Sequence, residues 1–189
     1  MAKCKSCGKP VKWGQNLCSE CASLDKRNKN EEVVKRLGSV PVHCDITITD
    51  VATKSGSILV LGDLFLTSGG LVYIPLTEEP AYFGPLSMVP RLLDATALGV
   101  VSVFLPFPDP TSVQSAKYSA RGARQQDLTA SIEERIRKRG GIVVPQSEIE
   151  STTVEDKIVR VRYSGGYLDM AVKDPQGCLQ NINRWISGL

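Results

Sequence analysis

Apolar and polar residues alternate with a period of two along much of the chain from residue 42 onward, which predicts β-strands with one buried side. Two of these stretches flank a Ser68-Gly69-Gly70 turn and therefore predict a tight hairpin, and Ser164-Gly165-Gly166 marks a second one. The predicted strands cover residues 42–49, 58–67, 71–76, 142–151, 157–163 and 167–173.

Other stretches have the spacing or the start and stop signals of helices. Residues 23–38 predict a polar linker helix that ends at Gly38, and residues 125–139 predict a second helix. The last helix opens with Asp174-Pro175, an N-cap followed by a proline at the first helical position, and it carries apolar residues, Trp185 among them, on one side.

Residues 77–141 interrupt the strand pattern. Six prolines make much of this region loop, so it predicts an insertion between two groups of strands. Within it, residues 92–107 have apolar positions at helical spacing, and they could pack on the sheet or lie in a membrane interface. This apolar stretch is shorter than the roughly 20 residues that a membrane-spanning helix needs.

The first 21 residues contain little that could form a core, but they carry two CxxC pairs, whose members are Cys4, Cys7, Cys18 and Cys21. Two residues between cysteines let one tight turn present both sulfurs to one metal, and four thiolates make a closed tetrahedral zinc site. Gly8 follows Cys7, where such a turn often needs a positive φ. Burial cannot stabilise so short a segment, so bound zinc should provide its folding free energy, roughly 10 kcal/mol for such sites.

Two disulfides or redox-active CxxC pairs are the alternatives for these cysteines. A redox pair normally lies within a thioredoxin-like βαβ pattern, which this sequence lacks, and paired cysteines in a cytosolic chain indicate metal binding. The ten residues between the pairs are fewer than is usual, but a short hairpin through residues 9–14 can span them. The segment resembles the short zinc ribbons found at the N-termini of many prokaryotic proteins.

Three further stretches resemble the pleckstrin-homology (PH) superfold in its GRAM-like or bacterial form. They are the hairpin 58–75, the segment Val-Pro-Gln-Ser-Glu-Ile at 144–149, similar to the Ile-Pro-x-x-Glu-Ile strand of those domains, and the final helix with Trp185. The resemblance covers residues 42–76 and 142–189; a different small β-barrel is the structural alternative. We therefore expect a zinc ribbon (1–22) and a linker helix (23–41). The resemblance adds a mainly-β, α+β, PH-like barrel (42–189) with a C-terminal capping helix and a helical insertion at about 77–141.

The net charge of +3 neither demands nor excludes an anionic partner. Within the ribbon, Lys12 and Trp13 offer a cationic and a stacking group, as nucleic-acid contacts do. A dense basic run could contact nucleic acid or anionic lipid, or could simply form a solvated helical face, since cations are favoured near a helix C-terminus. That run consists of Arg135, Arg137, Lys138 and Arg139, and Arg121 and Arg124 lie upstream of it.

The PH-like resemblance implies phosphoinositide or protein partners. Because the loop after the first strand offers only Lys54 to a phosphoinositide, a protein or peptide partner is favoured. The sequence has no phosphate loop or hydrolase elbow, and His43 and Cys44, as strand neighbours, point to opposite sides. We also expect no secretory signal, because the start Met-Ala-Lys-Cys has no basic region followed by an apolar run.

We therefore expect a cytoplasmic, non-enzymatic recognition or scaffold protein with structural Zn²⁺, acting through protein–protein contacts and without a small-molecule substrate. A nucleic-acid-binding zinc-ribbon protein is the alternative, and a peripheral membrane module is the third reading.

Overall fold

A computed structural model describes residues 2–38, 42–55, 58–80 and 110–188. The insertion segment 92–107 lies outside the described residues, and no helix within them is long and apolar enough to cross a membrane. The elements are β1 (Ala2–Lys3), β2 (Pro10–Val11), α1 (Ser19–Arg36), β3 (Cys44–Ser55), β4 (Ile58–Thr67), β5 (Gly70–Pro80), α2 (Pro110–Gln126), α3 (Ile132–Arg139), β6 (Ile142–Val144), a 3₁₀ turn (Gln146–Glu148), β7 (Ile149–Glu155), β8 (Ile158–Tyr163), β9 (Gly166–Ala171) and α4 (Pro175–Ile186).

The main sheet has seven antiparallel strands in the order β6-β5-β4-β3-β9-β8-β7, which confirms a mixed α+β fold. Within the described residues β6 and β7 are its two edges and do not pair with each other, so the sheet is open and the predicted closed barrel is wrong. The segment 144–149 connects the two edge strands. Pro145 has no N–H to donate, and the 3₁₀ turn carries the chain from one edge strand to the other.

Both predicted tight hairpins are present. In the β4–β5 hairpin Thr67 lies opposite Gly70, and the Thr67 hydroxyl accepts hydrogen bonds from the amides of Gly69 and Gly70 at 3.2 and 3.1 Å. Strand β3 extends further than its sequence pattern indicated. It pairs with β4 along most of its length and with β9 at Ala52, so it joins the two groups of strands.

The main core lies between the two groups of strands and under α4. The N-cap of α4 is confirmed, because the Asp174 carboxylate accepts a hydrogen bond from the Gly177 amide at 3.0 Å. Near the other end of the helix, the Trp185 indole donates to the Thr67 carbonyl at 3.1 Å. The buried residues of this core are Val51, Leu64, Leu66, Leu71, Tyr73, Val144, Val159, Val161, Leu168, Met170, Cys178 and Ile182.

Helices α1 and α3 cover the opposite side of β4, β5 and β6, where their residues Val34, Leu37, Ile132 and Ile136 are buried together with apolar residues of those strands. The single helix predicted over residues 125–139 is wrong in its first part. The chain instead ends α2 at Gln126 and starts α3 with a capping box, in which Ser131 and Glu134 each bond the other's backbone amide.

Candidate metal centre

Four cysteine sulfurs come together at the N-terminal end of the molecule. Cys4 and Cys7 lie in the turn after β1, Cys18 is the N-cap of α1, and Cys21 lies in the first turn of that helix. All four Sγ atoms lie within 4.8 Å of one another, and those of Cys7 and Cys18 are 3.5 Å apart. Zn–S bonds of about 2.3 Å in a tetrahedron give S···S distances of about 3.8 Å. The four cysteines could therefore hold one metal ion.

The backbone around the sulfurs forms two tight turns that depend on glycine. Gly8 has a φ of +74°, and its amide donates to the Cys4 carbonyl at 2.9 Å. Gly14 has a φ of +87° in the turn where the Gln15 amide donates to the Lys12 carbonyl at 3.0 Å. Only glycine reaches these φ values without a steric cost. Gly8 lies in the loop that joins β1 to β2, and this hairpin pairs Ala2 with Val11.

The Cys4 and Cys21 thiols do not lose their protons together. Hydrogen bonds from the backbone amides of Cys7 and Cys18 lower the pKa of the Cys4 thiol to about 6. At Cys21 a hydrogen bond with Ser6 acts in the same direction, but interactions with the Cys7 and Cys18 thiols outweigh it and raise the pKa of Cys21 to about 12. Because thiolates so close together repel one another, a bound divalent cation would replace these protons.

The turn that follows β2, residues 12–15, carries the other two site residues predicted in the ribbon, and we call this turn the ribbon tip. The Trp13 side chain is 92% exposed, and Lys12 beside it is also exposed. Lys9 pairs with Glu20 of α1 at 2.6 Å, and residues 1–19 contain no acidic side chain. The ribbon tip is therefore an aromatic and cationic surface.

The dense basic run is brought together on α3, where its members bond within the protein. Lys138 and Arg139 donate to the Asp127 carboxylate at 2.8 and 2.7 Å, and that carboxylate is only 2% exposed. Arg137 pairs with Glu31 of α1 at 2.9 Å. The Arg135 guanidinium donates to the Asp127 carbonyl at 2.6 Å and lies over the Phe65 ring. These four side chains therefore hold the α2–α3 connection and α1 in place.

Burial disfavours ionisation of Asp127, but the hydrogen bonds from Arg139 and Lys138 outweigh it and lower the pKa of this carboxyl group.

Sequence reasoning missed Asp127 and also missed Asp63, a carboxylate inside β4 that is 3% exposed and binds Arg124 at 2.6 Å. The signal for Asp63 was a charged residue within an otherwise apolar strand. A buried carboxylate requires a cationic partner, and Arg124 supplies it.

The two cysteines outside the cluster lie apart from it in the fold. The Cys44 sulfur bonds the Ile46 carbonyl at 3.2 Å within β3. Burial, with the nearby charge of Asp174, raises the pKa of the Cys178 thiol in α4 to about 11 and so keeps it protonated at neutral pH. Neither geometry resembles an activated nucleophile.

Comparisons of the chain with models of protein families, with curated proteins and with solved structures gave no significant match. The function must therefore be argued from the thiol cluster, the ribbon tip and the charged surfaces described above.

Proposed function

We propose that Cys4, Cys7, Cys18 and Cys21 bind one structural zinc ion. The observation that supports this is the convergence of the four sulfurs within 4.8 Å of one another. Four thiolates fill a tetrahedral zinc ion and leave no position for substrate, so the ion would stabilise the ribbon and take no part in catalysis.

We further propose that the sheet domain is PH-like. Four strands (β3–β6) are followed by three (β7–β9) and by a C-terminal helix that packs on the core between them. Strands closed by one helix support the resemblance, although the turn after Val144 divides the predicted strand 142–151 into β6 and β7. Helices α2 and α3 lie within the predicted insertion.

The biochemical role that we propose is recognition or scaffolding in the cytoplasm, through protein–protein contacts and without catalysis. Helix α1 presents the ribbon to solvent, because its buried residues, Asn30 and Val34, lie in its C-terminal half. Trp13 lies at the exposed ribbon tip, and tryptophan is enriched among the residues that dominate protein interfaces. The ribbon tip would then be the primary contact surface.

Nucleic-acid binding by the same tip is the second candidate. The exposed Trp13 ring could stack on a base, and Lys12, with no acidic side chain among residues 1–19, suits contact with a phosphate backbone. A peripheral membrane role has less support, because the basic side chains of α3 already have partners within the protein.

The zinc proposal is tested by measuring the metal content of the purified protein and of a Cys18→Ser variant. We expect one zinc per chain in the natural protein and a loss of zinc in the variant. Cys44→Ser is the matched control, since Cys44 is exposed and outside the cluster, and it should keep its zinc. Two disulfides and no zinc would overturn the proposal.

The recognition proposal is tested with Trp13→Ala, using Tyr167→Ala as a control that also removes an exposed aromatic ring. We expect Trp13→Ala alone to abolish capture of a protein partner from cell extract. Binding of fluorescent single-stranded RNA or DNA that weakens with salt and is lost in the same variant would instead support the second candidate. Equal capture by both variants would exclude the ribbon tip.

A further inference from the structure

A hollow of about 360 Å³ lies between the bulge of β3 and helix α2, away from the thiol cluster in the fold. Helix α2 supplies most of its lining, because residues three, four and seven apart lie on one side of a helix. The residues that line the hollow are Asp50, Gln114, Lys117, Tyr118, Arg121 and Arg124.

The lining carries more positive than negative charge. Lys117, Arg121 and Arg124 are cationic, whereas Asp50 is the only carboxylate among the lining residues. Within the described parts of the chain, neither Lys117 nor Arg121 forms a salt bridge, although both side chains are exposed. The hollow therefore offers two cations that the described protein does not neutralise.

Arg124 is held firmly at the base of this arrangement. Its guanidinium bonds the buried Asp63 carboxylate through Nε at 2.9 Å and through Nη2 at 2.6 Å, and Nη2 also bonds Asp50 at 2.8 Å. Among the described residues, none accepts a hydrogen bond from Nη1 of Arg124. Two carboxylates thus fix the orientation of this guanidinium, and Arg124 still lines the hollow.

The backbone at Asp50 is strained. A register shift between Ile48 and Val51 places Asp50 in a bulge of β3, with a φ of +58°. A positive φ is uncommon for a residue with a side chain, and bulges and strained residues are over-represented next to functional sites. Here the strain brings the Asp50 carboxylate to Arg124.

A second, larger hollow of about 530 Å³ on the β8–β9 hairpin does not have this charge imbalance. Its two arginines have acidic neighbours: Arg160 bonds Asp169 at 2.7 Å, and Arg162 lies 3.7 Å from Glu150. Of these two hollows, the one beside α2 therefore suits an anion.

We propose that the hollow between β3 and α2 binds a phosphate-bearing ligand, a phosphomonoester or diphosphate group that is either free in solution or carried by a lipid. Lys117 and Arg121 would contact phosphate oxygens, for which charge-assisted hydrogen bonds are the strongest available contacts. Gln114 and Tyr118 add neutral donors at the rim. This site is separate from the ribbon, so it does not depend on the zinc or recognition proposals.

The test titrates the full-length, zinc-loaded protein with inorganic pyrophosphate at constant ionic strength by calorimetry. A parallel arm measures co-flotation with phosphatidylcholine vesicles that do or do not contain phosphatidic acid. Saturable pyrophosphate binding would identify a soluble ligand as sufficient, and binding to phosphatidic-acid vesicles alone would identify a lipid headgroup. Either result supports the site, and failure of both arms overturns it.

Three variants locate the binding. Lys117→Ala with Arg121→Ala should weaken it by about tenfold or more, since two charged contacts are lost. Lys173→Ala with Arg184→Ala removes the same charge from exposed residues elsewhere and should leave it unchanged. Asp50→Asn should strengthen it severalfold, because it removes the repelling carboxylate and asparagine tolerates a positive φ. Equal weakening by both double variants would overturn the proposal.

Discussion

The ribbon and the sheet domain of this protein derive their order from different sources. Among residues 2–18, Cys4 alone is buried, and the two strands of the hairpin have two residues each. The sheet domain buries apolar residues from both groups of strands and from α4 in one continuous core. Hydrophobic burial can stabilise the second region but has almost nothing to act on in the first. One chain thus combines a region suited to stabilisation by metal with a region stabilised by packing.

Helix α1 connects these two regions. Its C-terminal half is anchored to the sheet domain by the buried side chains of Val34 and Leu37 and by a salt bridge of 2.7 Å between Arg36 and Glu148. Its N-terminal half, from residue 19 to residue 29, is not buried. The two regions should therefore unfold separately, even though α1 joins the ribbon to the sheet domain.

The largest expected effect comes from removing metal. If zinc organises the ribbon, then treatment with a strong chelator should unfold residues 2–21 while the sheet domain stays folded, because the sheet core does not include the ribbon. Amide hydrogen exchange should show a loss of protection confined to the ribbon and the first turns of α1. Cys18→Ser should reproduce the effect, and Cys44→Ser should not. Loss of protection throughout the sheet would show that the regions are not independent.

The converse change is a cavity in the sheet core. Leu64→Ala should lower the free energy of unfolding of the sheet domain by about 2 to 5 kcal/mol, since Leu64 is fully buried. Zinc content should remain unchanged. Leu128→Ala is the matched control: Leu128 is 74% exposed, so its truncation should change stability by less than about 0.5 kcal/mol. Urea unfolding measures the first effect, and metal analysis the second.

A smaller effect is expected at Asp127, the buried carboxylate between α2 and α3. Asp127→Asn should cost about 2 kcal/mol at pH 7, because charge-assisted hydrogen bonds from Lys138 and Arg139 are lost. The pKa of Asp127 is lowered in the folded protein, so its stabilisation is present above the unfolded value near 3.9. It is lost as the pH falls through the still lower folded value.

The difference between natural protein and Asp127→Asn should therefore shrink between pH 5 and the acid limit. Urea unfolding followed by Trp185 fluorescence, in a Trp13→Phe background, isolates the sheet domain from the ribbon. Asp156→Asn is a suitable control, because Asp156 is exposed and asparagine tolerates its φ of +47°. A difference that persists undiminished at low pH would show that the ion pairs of Asp127 are not its source.

Local signals in the sequence were sufficient for much of this fold. The hairpin around Gly69 and Gly70 and the N-cap at Asp174 follow from interactions between residues close in the chain, and both are confirmed. The clustering of the four cysteines is also a local prediction, since CxxC spacing constrains each pair.

The errors arose where distant residues decide the structure. Whether β6 pairs with β7 depends on how the sheet closes, and the turn at Pro145 was interpreted as part of a strand. The break between α2 and α3 had a local signal, the Ser131–Glu134 capping box, which was overlooked. The ion pairs of Asp63 with Arg124 and of Arg137 with Glu31 join residues far apart in sequence, so no spacing rule could reveal them.

The smallest expected effect lies at the anchor between the two regions. The Asn30 side chain is buried and donates to the Arg137 carbonyl at the end of α3 at 3.0 Å. Asn30→Ala should cost about 1 kcal/mol, because one buried hydrogen bond is lost. Hydrogen exchange should rise in residues 30–37, whereas protection within the zinc-loaded ribbon and the sheet core should not change. Asn28→Ala, at an exposed position two residues before Asn30 in the same helix, should leave all three unaffected. Faster exchange within the ribbon as well would mean that the anchor stabilises the metal-binding region, and that the two regions are coupled through α1.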